Sequence, residues 1–333
     1  MLMRIGFGHL ESNAILFCLR LLRGRIHLQH NDCIDPWNTV WSHVDDGVTD
    51  MTQRFPTACC TGRLLLGCAD LLERTSMKIA TFNVNSLRKR LPIVLKWLDR
   101  HQPDVLCLQE TKVQDSEFPL LALASSGYET TFRGMKSYNG VAILSRKKPE
   151  AIFYGFDDGG DPEDSRLLRV LIDGISIVNT YVPQGFEIDS PKYAYKLAWY
   201  ERLRNYFNAH LSPQAPAIWC GDMNVAPRPM DVHSPEKHLN HVCYHEAARH
   251  AYEKTVAWGF QDVFVKLYPT RQQYTFWDYR APSSLEANKG WRIDHMMATA
   301  PLAEKCAKAD VDVEPRRAKE PSDHTFLWAE FSI

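Results

Sequence analysis

From Met77 onward the apolar and polar positions fall into two rhythms. Met77 to Val84 alternates with the two-residue period of a strand, whereas Leu87 to Arg100 sets Leu91, Val94, Leu95 and Leu98 on one helical face. Asp104 to Leu108 reads as a buried strand ending at Gln109-Glu110-Thr111-Lys112, and a helix is expected around Glu117 to Ala124. Gly140 to Leu144, Ala151 to Phe156, Leu167 to Ile172 and Ser176 to Tyr181 read as strands, several joined by turns. Pro191 to His210 predicts a long amphipathic helix. The apolar run Ala215 to Trp219 predicts a strand, Ala217 to Cys220, that stops at Gly221-Asp222-Met223-Asn224-Val225 before a proline-broken loop. A second helix is expected over Tyr244 to Trp258, then strands over Tyr274 to Asp278, Trp291 to Ala298, Ala309 to Val313 and Thr325 to Phe331. Strand runs with a few long helices outside predict an α/β (α+β) domain of two mixed sheets packed face to face and covered by helices.

Composition changes this picture mainly at the N-terminus. Residues 1–76 carry seven Arg and no Lys, and their apolar stretches are short and interrupted. Glu11 and the lack of a small-residue cleavage site fit a secretory leader poorly, and Asp32, Asp35, Asp45, Asp46 and Asp50 fit an Arg-rich transit peptide poorly. Residues 1–76 are therefore expected to be a poorly ordered N-terminal extension upstream of a natural start at Met77, with residues 77–333 as one domain. No apolar run approaches the roughly 18 residues that span a bilayer, so no membrane association is expected. The nine cysteines are odd in number and lack C-x-x-C spacing, which argues against a zinc site or disulfide framework. They fit a reducing compartment, and the cytoplasm is the expected location. The net charge of −1 leaves no global basic signature, so any phosphate-facing surface must be a segregated patch.

Candidate chemistry gathers at strand ends. Asp222 and Asn224, two residues apart, suit a reaction in which a carboxylate handles a proton while an amide holds the attacking oxygen. An Asx turn explains the same residues, and each of the others has a structural explanation too. Asn83 and Asn85 could cap a helix, Glu110 could neutralise Lys112, Tyr181 could be core, Asp294 could pair with Arg292, and Asp323-His324 could be a turn. Together they supply what metal-assisted phosphodiester cleavage requires. Glu110, with Asn85 and Asp323, offers oxygen ligands for a hard cation such as Mg²⁺. Asp222 beside Asn224 can activate water, while His324, Tyr181 and Asn83 can donate to phosphoryl oxygens and Asp294 can support the charge on His324.

Eight blocks in order then carry a resemblance. They are Thr81-Phe82-Asn83-Val84-Asn85-Ser86-Leu87-Arg88, Leu108-Gln109-Glu110-Thr111-Lys112, Tyr138-Asn139-Gly140-Val141-Ala142 and Asn179-Thr180-Tyr181-Val182-Pro183-Gln184-Gly185. They continue with Gly221-Asp222-Met223-Asn224-Val225, Tyr274-Thr275-Phe276-Trp277, Gly290-Trp291-Arg292-Ile293-Asp294 and Pro321-Ser322-Asp323-His324. Residues 77–333 resemble the exonuclease III family of apurinic/apyrimidinic (AP) endonucleases, within the endonuclease/exonuclease/phosphatase superfamily. The resemblance implies a four-layered sandwich that uses Mg²⁺ or Mn²⁺ to cut double-stranded DNA 5′ to an abasic site. It also implies cleaning of blocked 3′ ends, some 3′-to-5′ exonuclease activity, a monomer, and association with the bacterial nucleoid through its substrate. Carried over by position, Glu110 is the metal ligand with Asp323 in support, and Asp222 with Asn224 handles the water. Asp294 and His324 form a dyad, and Asn83 and Tyr181 hold the phosphate. At Asn85 some relatives carry Asp, which can pair with the lysine of the Q-E-T-K block; that ion pair is not available here.

An abasic nucleotide is cheap to extrude because it has no stacking to lose. Phe276, Trp291 and Ile293 match the positions that wall the pocket for the base-free sugar, although a core role would account for them as well. Arg88, Arg133, Lys136, Lys192 and Arg228 flank the strand-end blocks and are the candidate DNA phosphate contacts. Three alternatives stand beside this reading: a phospholipid or inositol-phosphate phosphodiesterase on the same fold, a non-catalytic binding relative, and a nuclease acting mainly as a 3′-to-5′ exonuclease. The expectation for residues 1–76 has a direct check. A chain beginning at Met77 should keep the melting temperature of the full chain, and a drop of several degrees by differential scanning calorimetry would show that residues 1–76 belong to the folded unit.

Overall fold

The structure is a computed structural model that describes residues 76–160, 165–281 and 283–333. The extension expected over residues 1–76 therefore lies outside the described residues up to residue 75. Twelve strands are seen among the described residues: β1 (Ser76–Asn83), β2 (Val105–Gln109), β3 (Glu129–Arg133), β4 (Val141–Ser145), β5 (Ala151–Tyr154), β6 (Leu167–Ile172), β7 (Ile175–Tyr181), β8 (Ala217–Asp222), β9 (Phe260–Asp262), β10 (Asp294–Thr299), β11 (Cys306–Asp312) and β12 (Phe326–Ser332). They form two six-stranded sheets, ordered β11-β12-β1-β2-β4-β3 and β5-β6-β7-β8-β10-β9. Each sheet is mixed: β1 with β2 and β7 with β8 are parallel pairs, and the other neighbours are antiparallel.

The two-residue period sorts the side chains into layers. On β1, Met77 and Ile79 face the second sheet and share a core with Val105, Cys107, Ile177, Ile218, Cys220 and Met296. Ala80 and Phe82 face outward instead, against Leu87, Val94, Trp97 and Leu98 of helix α1 (Leu87–His101). Phe82, Phe326 and Trp97 stack there at centroid separations of 4.0 and 4.2 Å. The outer face of the second sheet is covered by the long helix Pro191–His210 and by Glu246–Val256, through Trp199, Leu203, Phe207, Trp219, Tyr252 and Met297. Helix, sheet, sheet and helix make the expected four layers. No helix among the described residues is long and apolar enough to cross a membrane.

The long helix has the predicted ends because Ser190 caps it, accepting from the Tyr193 amide at 3.2 Å, with Pro191 at its first position. Elsewhere local signals were overridden. The helix expected over Glu117 to Ala124 is split by Pro119 into a 3₁₀ turn at Asp115–Glu117 and a short helix at Leu120–Ala124. The strand expected to stop at Cys220 runs on to Asp222, since Gly221 takes φ +134° and lets β7 approach: a Cβ there would lie 2.0 Å from the Thr180 carbonyl oxygen. Tyr274 to Asp278 is not a strand. It is a connecting segment, Phe276 bridging to both Trp291 and His324. Two strands, β3 and β9, were not foreseen, because each is short and depends on its neighbour for pairing.

A buried ionic cluster fixes the loop that follows β8. Arg292 donates to Asp231 at 2.8 and 3.1 Å and to Asp262 at 2.6 Å, so it does not make the pair with Asp294 that a structural explanation offered. Arg228 closes on Asp231 from the surface at 3.0 Å. Burial would raise the Asp231 and Asp262 carboxyls, but Arg292 more than reverses this and holds both below the usual carboxylate range. Arg292→Ala leaves two buried carboxylates without their shared cation and is expected to cost about 3–5 kcal/mol in urea unfolding. A change below about 0.5 kcal/mol would show that the cluster does not hold the fold.

Candidate active site

Topology brings the polar strand ends to one rim. The carboxyl ends of the parallel pairs deliver Asn83, Glu110, Tyr181 and Asp222. The antiparallel neighbours start where these end, so Asp294 lies opposite Asp222 in register and His324 precedes β12 beside them. Beneath the rim, Asn179 donates to the Leu108 and Ala142 carbonyls at 2.9 Å and accepts from Gln109 at 2.7 Å. This seam of buried amides locks the two sheets against sliding. Asn85, Glu110, Lys112 and Asn224 all hold positive φ, so the loops at the rim are strained where the chemistry sits.

Asn83 is fully buried and gives one amide proton to Glu110 Oε1 at 2.8 Å and the other to Asp222 Oδ2 at 2.9 Å. The sequence suggested a phosphate donor, but both protons are engaged with carboxylates, so Asn83 is a tie between them. Asp222 also accepts from the backbone N–H of Asn224 at 2.9 Å, and the Asn224 amide donates to the Val182 carbonyl at 2.9 Å. His324 sits between two carboxylates, with Nδ1 2.8 Å from Asp294 Oδ2 and Nε2 3.8 Å from Asp222 Oδ2. Burial opposes charge on the ring, but Asp294 and then Asp222 push His324 up to about 10, making it an imidazolium at neutral pH. Burial lifts Asp222 to about 7, with Asp294 and Glu110 adding to the rise and His324 and Asn83 opposing it. The result is a carboxyl poised near neutrality beside a cation. Burial, then the neighbouring Glu110 and Asp222, keeps the Tyr181 phenol protonated and able to donate.

Lys112 stands between Glu110 Oε2 at 2.6 Å and Asn85 Oδ1 at 2.7 Å, and Asn85 donates to Asp323 at 2.9 Å. The ion pair to Asn85 is indeed missing, but a charge-assisted hydrogen bond replaces it. Burial alone would raise Glu110; Lys112 and the hydrogen bond from Asn83 bring it below its usual range. The ammonium is a stand-in for what these oxygens attract, and an all-oxygen set of this kind fits a hard divalent cation. Asp222, Asp294 and His324 also converge closely enough to hold an ion. A protonated His324 has no lone pair to give a metal.

A cavity of about 610 Å³ opens beside these groups, lined by Glu110, Tyr181, Asp222, Asn224, Asp323 and His324. Phe276, Trp291 and Ile293 form its apolar side, the Phe276 ring 4.9 Å from that of His324. Among the candidate DNA contacts, Lys136 and Lys192 are exposed, Arg133 is half-buried, and Arg88 pairs with Glu117 at 3.0 Å on the surface. Arg228 differs, since its guanidinium is neutralised by Asp231 and bonded to the Pro269 carbonyl; it braces the fold. Sequence reading missed Lys196, which is fully buried on the long helix and donates to the Gln184, Asn224 and Val242 carbonyls at 3.2, 2.7 and 2.7 Å. A lysine on the core face of an amphipathic helix was the available signal. It also missed His233, His238 and His241 on the cavity wall, which have no motif.

Residues 80–324 match the model of the endonuclease/exonuclease/phosphatase family. The chain is 30% identical over 267 residues to exodeoxyribonuclease III of Haemophilus influenzae, covering 77% of this chain and all of that protein. An AP endonuclease from Archaeoglobus fulgidus superposes with a TM-score of 0.76 at 52% identity, over 77% of this chain and all of that one. A 3′-5′ exonuclease from Neisseria meningitidis does so with a TM-score of 0.75 at 34% identity, over the same shares.

The dyad has a spectroscopic test. Both ring nitrogens of His324 should be protonated at neutral pH by ¹⁵N NMR, with the proton lost as pH rises through about 10. Asp294→Asn should bring that titration down by more than about one unit, and an unmoved midpoint would separate Asp294 from the charge on the ring.

Proposed function

Because the chain belongs to the endonuclease/exonuclease/phosphatase family, we propose that it is a DNA repair hydrolase that cuts the phosphodiester 5′ to an abasic site. The observation that carries this reading is the placement of Asp222 and of His324, held from behind by Asp294, on one wall of a cavity whose other wall is Phe276, Trp291 and Ile293. Chemistry on one side and a small apolar recess on the other suit a base-free sugar held beside its own 5′ phosphate.

Glu110 and Asp323 would hold the cation, Mg²⁺ or Mn²⁺, with Asn85 joining if Lys112 moves aside. When bound, the cation supplies Lewis-acid stabilisation of charge on the phosphoryl oxygens. Asp222, oriented by Asn83 and the Asn224 backbone, takes the proton of the attacking water. Protonated His324 presents Nε2–H to the developing negative charge while Asp294 holds the ring, and the Tyr181 phenol offers a second donor. The exposed cations Lys136 and Lys192, with Arg88 and Arg133, are suited to flanking phosphates, and binding should weaken as salt rises. We expect a monomer acting on double-stranded DNA in the cytoplasm. The Neisseria relative, called a 3′ phosphatase in complex with a DNA hairpin, favours a second reading in which 3′-end processing dominates.

A duplex with one abasic analogue and an intact duplex with a recessed end separate the two readings, each with Mg²⁺ and with chelator. One metal-dependent nick at the lesion is expected, and end degradation alone would overturn the AP endonuclease reading while keeping the chemistry. Asp222→Asn should retain DNA binding while lowering kcat by about 10²–10⁴-fold. Retained turnover would remove Asp222 as the base.

A further inference from the structure

Three histidines on the cavity wall take no part in the mechanism above. His233 and His238 turn their Nε2 atoms toward each other at 3.3 Å, and the His238 and His241 rings lie 4.9 and 4.5 Å from that of Trp291. We propose that His233 and His238 form a binding site for a borderline-soft divalent cation of the zinc class, separate from the hard-cation centre at Glu110. The separation carries the argument. Two nitrogens each about 2.0–2.1 Å from a tetrahedral zinc lie about 3.3–3.4 Å apart, so these rings already have the bite of a chelate.

The outer contact agrees. His233 Nδ1 lies 3.3 Å from the Gly290 carbonyl oxygen, and donation there leaves Nε2 as a lone pair aimed at His238. Metal-ligating histidines are held by this kind of bond. The His241 Nδ1 accepts from the Cys243 backbone N–H at 3.2 Å, which leaves that ring outside the pair. Two protein nitrogens leave the remaining coordination positions to water, facing the cavity. A cation held there occupies space beside Trp291 and should oppose entry of a sugar. That inhibitory consequence rests on the proposed function, whereas the site itself does not.

The test is zinc titration of the full chain by calorimetry in excess Mg²⁺ without DNA. Wild type and the surface control His250→Gln should take up one equivalent that His233→Gln and His238→Gln bind at least about tenfold more weakly. No such equivalent in wild type, or equal affinity in both variants, would overturn the proposal. Should the variants lose structure, X-ray absorption of the zinc-loaded wild type decides, two imidazole nitrogens supporting the site and an all-oxygen shell refuting it. Zinc should also suppress nicking by wild type, and zinc binding with nicking unchanged would overturn the inhibitory role.

Discussion

The side-chain amide of Asn83 joins carboxylates that belong to opposite sheets, and the site depends on that tie. Glu110 follows β2 and Asp222 ends β8, so the two acids approach across the seam of the sandwich. Like charges buried this close repel, and only donors placed between them keep the arrangement folded. Asn83 supplies two protons, Lys112 neutralises Glu110, and the His324 imidazolium is shared by Asp222 and Asp294. Burial and this balance leave Asp222 near neutrality in affinity for a proton.

The same logic governs the loops around the rim. Lys196 has no acidic partner among its hydrogen bonds and answers its charge with three carbonyls from three segments. It binds the Asn224 turn to the Gln184 and Val242 loops, fixing the left-handed backbone that aims Asn224 at Asp222. Arg292 acts similarly from below, anchoring the Asp231 loop to the segment that runs from Trp291 into β10 at Asp294. Buried cations thus position both walls of the cavity, one through carbonyls and one through carboxylates. Neither touches the space where a substrate would lie.

Rigid scaffold and strained rim divide the work between them. Apolar strands with two buried faces provide the fixed frame, and the amide seam of Asn179 and Gln109 sets its register. The positive-φ residues stand at its edge, where packing is strong enough to impose an unfavourable backbone on Asn85, Glu110, Lys112 and Asn224.

Much of this was legible in the chain itself. Strand and helix periods and the strand-end acids are local properties, and the ordered blocks from Asn83 to His324 carry the family resemblance. Sequence alone also required that any DNA-facing charge be segregated. Partnerships were a different matter. Arg292 pairs with Asp231 and Asp262 rather than with nearby Asp294, Arg228 turns inward, and Asn83 gives its protons to acids. Charges and amides choose partners by distance in space and by the cost of burial, and neither is written in neighbouring residues. The Tyr274–Asp278 segment failed as a strand for the same reason, since its neighbours on either side pair with it only through single bridges at Phe276. The chain thus determined which polar groups end the strands, and the packing of two sheets decided which of them are charged, tied or open to the cavity.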